Sequence, residues 1–192
     1  EALGILGVNL IYASFHYRHD ENIFIQSLKD NLGDDRIEID LIHFSGDHFK
    51  DVDNRLASVL LVENWLTRAV MFDNQGNPAV PRDVLYKKPT VVTRGSFKPP
   101  TKVHLDMTEC GVRLLAEVTQ SNEEQTVRLA EISMSQLVSE KKVDNKDFLA
   151  RVTLANSLGM HVILSDYVRY FSLSSWLRRH TNQPIAILIK AI

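Results

Sequence analysis

The chain contains only one cysteine, Cys110, in 192 residues, so no disulfide can form within it. A lone thiol is typical of proteins in a reducing compartment, which favours a cytoplasmic location. Long apolar runs are also missing. No stretch reaches the ~20 residues that a membrane-spanning helix needs, and no signal-peptide pattern is visible. The sequence therefore predicts no membrane association.

The net charge is also small, because 22 basic and 24 acidic residues leave a formal charge of -2. This balance offers no basic surface for a nucleic-acid backbone, so we expect no nucleic-acid partner. Apolar residues make up 44% and charged residues 24%, as in ordinary globular proteins. We expect a single domain over residues 1–192, or a portion of a longer chain, because an apolar run ends the sequence. A homo-oligomer is left open.

Short apolar segments alternate with segments of helical spacing. The strand-like segments are residues 7–15, 37–44, 69–72, 90–96, 126–134, 160–166 and 184–191. The helix-like segments are residues 21–33, 51–68, 101–118, 145–159 and 170–180. This alternation predicts an α/β fold with a mostly parallel, Rossmann-like sheet flanked by helices. The loop-like stretch 73–89 is the candidate for a subdomain break. Trp65 and Trp176 lie in helical apolar patterns, which indicates core packing.

In a parallel sheet, ligands gather beyond the carboxyl ends of the strands and at the N-termini of the following helices. The stretch "VVTRGSFKPPTKVHLDM" contains such a junction. Gly95 permits close backbone approach, and the helix that follows favours a phosphate at its start. Arg94 is shaped for bidentate phosphate recognition, or else pairs internally with an acid such as Asp166 or Glu131. The junction therefore predicts a site for a phosphorylated small molecule.

The segment "GSFKPPTKVH" resembles the signature of the nucleotidyltransferase superfamily, which includes the nicotinate and nicotinamide mononucleotide adenylyltransferases and phosphopantetheine adenylyltransferase. Members carry the pattern Gly-Ser/Thr-Phe-Asp/Asn-Pro-x-Thr-x-Gly-His. The matching residues are Gly95, Ser96, Phe97, Pro99, Thr101 and His104. The resemblance implies that Thr101 and His104 act on the transferring phosphates of ATP, with Mg²⁺ as the accompanying ion.

The same resemblance implies nucleotide or phosphate contacts from Arg94, Gly95, Ser96, Phe97 and Lys98. A second family element, Ile-Ser-Ser-Thr-x-x-Arg, is similar to "LSSWLRR". Its matching residues are Ser174, Ser175 and Arg179. The implied reaction is adenylyl transfer to a pyridine mononucleotide. Two positions depart from the pattern: Lys98 replaces the acid or amide, and Val103 replaces the second glycine.

A phosphoester hydrolase is the first alternative. "AVMFDNQGNPAV" resembles the opening motif of the haloacid-dehalogenase phosphatases, with Asp73 as the nucleophile. Gln75 stands where that family has its second aspartate. "SLGMHVILSD" resembles that family's second motif, with Ser165 as the phosphate-binding hydroxyl. The segment "AVMFDNQGNPAV" is also typical of a plain turn between two strands.

In a second version of the hydrolase alternative, histidine side chains hold a metal ion that the reaction needs. If "HYRHD" and "HFSGDH" end neighbouring strands, their imidazoles and carboxylates converge on a divalent ion. The candidates are His16, His19, Asp20, His43, Asp47 and His48. A third reading is a non-catalytic domain for ligand binding or partner assembly, favoured by Lys98, Val103 and Gln75.

Overall fold

The computed structural model describes residues 1–33, 36–139 and 142–189. Its α-helices are α1 (Ala2–His16), α2 (Glu21–Ser27), α3 (Asn54–Glu63), α4 (Pro81–Leu85), α5 (Lys102–Thr119), α6 (Asn145–Ser157) and α7 (Tyr170–Arg178). Its strands are β1 (Ala69–Phe72), β2 (Pro78–Ala79), β3 (Thr90–Arg94), β4 (Val127–Ser133), β5 (Val138–Ser139), β6 (Lys142–Val143), β7 (His161–Ser165) and β8 (Ile185–Leu188). Short 3-10 helices cover Asp47–Phe49, Glu123–Gln125 and Met134–Gln136.

The described residues form a six-stranded sheet of order β2-β1-β7-β4-β3-β8 and a separate pair, β5–β6. Strands β7, β4, β3 and β8 run parallel, whereas β1 is antiparallel to both of its neighbours. Along the chain, β4 adds beside β3 and β7 adds beyond β4. The chain then crosses back and places β8 on the other side of β3. This reversal of strand order is that of a Rossmann-like sheet, so the predicted α/β class is confirmed.

Helices cover both faces of the sheet. On one face, Phe148 of α6 belongs to a buried cluster that includes Ile132 of β4. On the other face, Trp176 of α7 belongs to a second cluster with Val92 and Leu129. Because the central strands bury both faces, their sequences lack the polar alternation of half-exposed strands.

Helix α5 packs closely over β3 and β8. The hydroxyl oxygens of Thr93 and Thr108 lie 2.7 Å apart, which joins β3 to the helix. A Cβ atom on Gly111 would stand 2.8 Å from a Leu188 methyl and 3.2 Å from a Val91 methyl. Glycine at this position therefore lets the middle of α5 lie against the sheet.

The strand predicted at residues 7–15 is wrong, because these residues belong to the 15-residue helix α1. Isoleucine, valine and aromatic side chains suggested a strand, but Ala2, Leu3 and Leu6, which precede the segment, extend the helix towards the N-terminus. Intrinsic propensity is a weak guide where differences are below ~1 kcal/mol per residue. Much of α1 is exposed, including Leu3, Ile11 and Phe15.

The strand predicted at residues 37–44 is also wrong. The segment is extended, but within the described residues it joins neither sheet. The Ile39 N–H donates to the Leu66 carbonyl at 2.9 Å. Both backbone groups of Phe44 bond to the side-chain amide of Asn54. A side chain therefore satisfies backbone groups for which the sequence suggested a strand partner.

The remaining predicted strands are confirmed within a few residues, and so are the last three predicted helices. The helices predicted at residues 21–33 and 51–68 are shorter than expected, because α2 ends at Ser27 and α3 covers only Asn54–Glu63. Residues 190–191 of the last predicted strand lie outside the described residues. The stretch 73–89 contains β2 and α4; a subdomain break there stays a prediction. In the described ranges, none of the helices combines the length and apolarity that a membrane crossing requires.

Candidate functional site

The residues from Gly95 to Thr101, named here the β3–α5 bend, join the end of β3 to the start of α5. Strand β3 is the first parallel strand, and the strand order reverses beside it. In Rossmann-like sheets this carboxyl edge is where ligands bind. The junction singled out in the sequence thus lies at the order reversal.

Thr101 and His104 form a capping arrangement at the start of α5. The backbone N–H of Thr101 donates to Nδ1 of His104 at 3.1 Å. The Thr101 hydroxyl lies 2.7 Å from the same nitrogen. Because Nδ1 accepts these bonds, the neutral imidazole carries its proton on Nε2. The two matched residues therefore hold each other in one geometry.

Gly95 makes room for this imidazole. A Cβ atom on Gly95 would stand 2.8 Å from Nε2 and 3.0 Å from Cδ2 of His104. Phe97 is fully buried with φ of +48°, and its ring centroid lies 5.0 Å from that of His104. The predicted close approach at Gly95 is therefore made by a side chain of the protein itself. Phe97 serves as an apolar anchor for the bend.

The guanidinium of Arg94 is engaged inside the protein. Its Nε donates to Oε2 of Glu131, and its Nη2 donates to Oε1 of the same carboxylate. The Nη2 and Nη1 atoms also donate to the carbonyls of Tyr167 and Val168, at 2.7 and 2.9 Å. The ring of Tyr170 lies 4.6 Å from the guanidinium carbon. Of the two roles left open for Arg94, the structure contains the internal ion pair.

Glu131 is completely buried and also accepts a hydrogen bond from the Ser165 hydroxyl. A buried carboxylate is stable only when its oxygens are satisfied in this way. Asp166, the other acid suggested for Arg94, instead pairs with Arg68 at 3.2 Å. The polar row Arg94–Glu131–Ser165 therefore ties β3, β4 and β7 together below the bend.

Lys98 is also paired, with Asp147 of α6 at 3.1 Å. Burial alone would raise the pKa of Asp147, but hydrogen bonds from Arg151 and Lys98 lower it below its ordinary value. Arg151, only 4% exposed, donates to the Ser96 carbonyl at 3.0 Å. The sequence reasoning missed Arg151, although its spacing of four residues from Asp147 is a recognisable helical ion-pair signal. These contacts fix the bend onto α6.

The second resembling segment lies in α7, away from the bend. Ser175 and Arg179 line a cleft of about 1000 Å³ to which no residue of the bend contributes. Ser174 is half-buried and is not among the residues that line this cleft. Arg179 donates to both carboxylate oxygens of Glu38, at 2.6 and 3.2 Å. The structure thus does not bring this group together with the bend.

Asp73 and Ser165 lie at opposite edges of the sheet. Ala69 is the register partner of Ser165, and β1 runs away from it. Asp73 lies four residues further on, or ~13 Å at about 3.3 Å per residue. Its carboxylate accepts from the backbone N–H groups of Gln75 and Asn77, which forms the β1–β2 turn. The haloacid-dehalogenase arrangement is therefore absent from these residues, and the plain turn is present.

The four histidine candidates for a metal are not brought together. His16 ends α1, where its ring packs 4.2 Å from that of Tyr12. The Nε2 atom of His19 accepts from Arg18 at 3.1 Å. His43 and His48 belong to segments that end no strand. Over the described ranges, no group of three or more His, Cys, Asp or Glu side chains could hold a metal ion. The condition for this site, that "HYRHD" and "HFSGDH" end neighbouring strands, is not met, because neither segment follows a strand.

The bend still offers groups that suit an anion. The first N–H groups of α5 lack partners within the helix, as at every helix start. Ser96 and Thr101 expose hydroxyl-bearing side chains, and His104 is half-buried beside them. Val103 is 52% exposed, and none of its atoms is among the three nearest to a Cβ atom built on Gly95.

No protein-family model, curated protein or solved structure matches the chain.

Proposed function

We propose that this domain binds the phosphate chain of a nucleotide at the β3–α5 bend, as the nucleotidyltransferase resemblance implies. The observation that carries the proposal is topological. The resembling segment follows the first parallel strand, at the point where the strand order reverses. Ligand sites of Rossmann-like sheets lie at this position.

In this proposal, Thr101 and His104 contact the ligand, together with backbone N–H groups of the first turn of α5. An imidazole Nε2–H stabilises charge that develops on a phosphate oxygen during transfer. Arg94 and Lys98 act as positioning residues, because their charges already pair with Glu131 and Asp147. This role replaces the direct phosphate contact that the sequence suggested for them.

The proposed substrates are ATP, with Mg²⁺ bound to its phosphates, and a pyridine mononucleotide. A phosphate oxygen of the mononucleotide attacks the α-phosphorus of ATP, and pyrophosphate leaves. Such Mg²⁺ ions are held largely by substrate phosphates and water. The ion therefore arrives with its nucleotide, and the reaction depends on positioning rather than on a protein nucleophile.

The test is a calorimetric titration of His104→Ala with Mg-ATP. Loss of a hydrogen bond to a charged group, about 1.5–3 kcal/mol, lowers the affinity roughly 10- to 100-fold. His48→Ala, which changes an exposed histidine in the 3-10 helix Asp47–Phe49, is the matched control. Equal affinity in the wild type and in His104→Ala, or no ATP binding by the wild type, contradicts the proposal.

A second candidate is ligand binding or assembly without transfer. The internal pairing of both Arg94 and Lys98 favours it, because both side chains already have acidic partners within the protein. A turnover assay with ATP and nicotinate mononucleotide separates the two candidates. Pyrophosphate release supports transfer, whereas ATP binding without release supports the non-catalytic function.

A further inference from the structure

The cleft lined by Ser175 and Arg179 borders α7 and the extended segment around residue 38. We name it the α7 cleft, and its volume is about 1000 Å³. Ligand pockets span roughly 300–1,000 Å³, so one nucleotide-sized molecule fits. None of its lining residues belongs to the β3–α5 bend. The cleft is thus separate from the site of the proposed function.

The walls of the α7 cleft are cationic. Among the residues that the structure describes, its basic lining residues are Lys29, Arg36, Arg68 and Arg179, and its acidic lining residue is Glu38. This excess of positive charge occurs in a chain whose net charge is -2. Burial alone would raise the pKa of Glu38, but hydrogen bonds and charge from Arg179, with help from Thr67 and Trp176, lower it. Glu38 therefore stays ionised and holds Arg179 in place.

Arg36 forms no ion pair with any residue in the described ranges, and its side chain is exposed on the wall. Arg68 is partly engaged by Asp166. A guanidinium recognises phosphate through two parallel hydrogen bonds, which makes arginine the suited residue for such groups. Among the described residues, the cleft therefore has one arginine outside any ion pair and two that are held in position around it.

Aromatic rings line the same cleft. Trp65 is 60% and Phe171 is 82% exposed, although the tryptophan pattern had indicated core packing. The guanidinium of Arg68 lies 4.9 Å from the ring of Trp65 and 5.5 Å from that of Tyr167. Exposed aromatic faces beside arginines are the surface on which flat rings stack.

Trp65 also has an unfavourable backbone. Its φ is +60°, in the left-handed region that a bulky residue rarely adopts. The Leu66 N–H donates to the Leu61 carbonyl at 2.9 Å, so Trp65 occupies the position just after the C-cap of α3, where glycine is the usual residue. Strained residues of this kind gather at functional sites. A tryptophan that contributes little burial at a glycine position points to a role for its ring.

We propose that the α7 cleft binds a small phosphorylated molecule that carries an aromatic ring, of the nucleoside monophosphate class. The ring stacks on Trp65 and Phe171. The phosphate binds Arg36, with Arg68 and Arg179 beside it. The ring and the anion are both needed, because the aromatic and cationic walls face the same space.

The test uses AMP, adenosine and inorganic phosphate as separate probes, in protein that carries His104→Ala so that the bend contributes little. AMP quenches the fluorescence of the exposed Trp65 in a saturable way, and calorimetry gives its affinity. Adenosine and inorganic phosphate each bind at least about tenfold more weakly than AMP, because each lacks one of the two contacts. Arg36→Gln weakens AMP about tenfold and leaves adenosine unchanged.

Trp65→Gly separates a functional ring from a structural one. Glycine accepts the positive φ, so this variant melts at the same or a higher temperature, yet calorimetry finds AMP binding reduced at least about tenfold. Lys87→Gly is the matched control, since Lys87 is also exposed with φ of +56° and does not line the cleft. It leaves AMP binding unchanged.

Three results overturn the proposal: no saturable AMP binding, unchanged AMP affinity in Trp65→Gly, or a lower melting temperature in that variant. Binding of an adenine oligonucleotide without binding of AMP also overturns it. The bend is tested separately by comparing Mg-ATP binding with and without His104→Ala in protein that carries Trp65→Gly, so that the cleft contributes little. Failure at one site therefore leaves the other measurable.

Discussion

Replacing Arg94 by methionine tests whether the guanidinium is a structural partner of Glu131. In the structure Glu131 is 0% and Arg94 13% exposed. Removing one partner of a buried ion pair costs about 3–5 kcal/mol, because the other charge is left without compensation. A domain is stable by only about 5–15 kcal/mol, so Arg94→Met removes a large share of the stability. Urea unfolding monitored by circular dichroism measures this loss.

Two further variants complete the test. The double variant Arg94→Met/Glu131→Leu removes both charges and recovers much of the stability. It does not recover the hydrogen bonds of the Ser165 hydroxyl and of the Tyr167 and Val168 carbonyls, each of which is worth about 1 kcal/mol. Arg128→Met breaks the more exposed pair with Glu109, 26% and 53% exposed, and costs at most about 1 kcal/mol. If Arg94→Met costs no more than this control, or the double variant is no better than the single one, the structural role of Arg94 is refuted.

Two more changes give distinct outcomes. Gly95→Ala pushes the imidazole of His104 out of its capping position, which lowers the free energy of unfolding in urea by about 1 kcal/mol. The same variant binds Mg-ATP more weakly in calorimetry. In the control Gly7→Ala, the added Cβ meets open space, so the variant stabilises α1 by about 0.5–1 kcal/mol. Equal effects of the two alanines would contradict this account. Burial lowers the pKa of His161, and the charge of Lys88 adds to this, so the folded state resists protonation. The contribution of the neutral His161 side chain to stability is complete above the unfolded pKa of about 6.5, and it is lost as the pH falls below this value. Urea unfolding from about pH 7.5 to pH 5 therefore finds a smaller loss of stability in His161→Gln than in the wild type, and equal losses would refute the shift.

The parallel core of the fold could be predicted because its strands are short and mostly apolar, without polar alternation. Residues 161–165 and 185–188 have this composition and are strands. The first 44 residues could not be predicted in the same way. Helix α1 carries β-branched residues on exposed faces, and the extended segment 37–44 bonds to the Asn54 side chain, so local composition does not reveal either state.

The site was predictable in position but only partly in its contacts. A glycine that follows an apolar segment and precedes the start of a helix is typical of a strand end in an α/β fold, and Gly95 fits this pattern. Glu131 was one of the two acids suggested as a partner of Arg94. The partner of Lys98 depends on where α6 packs, because Asp147 lies 49 residues further along the chain. Such contacts follow from tertiary structure and leave no local signal.

The close approach at Gly111 has a mechanical consequence for α5. The helix has 18 residues, or ~27 Å at 1.5 Å per residue, and Gly111 lies near its midpoint. Thr108, Val112 and Ala116 are buried on the same side of α5, so the helix is seated on the sheet over several turns. A larger side chain at Gly111 would therefore lift this whole contact from β3 and β8, and its cost would extend well beyond the substituted residue.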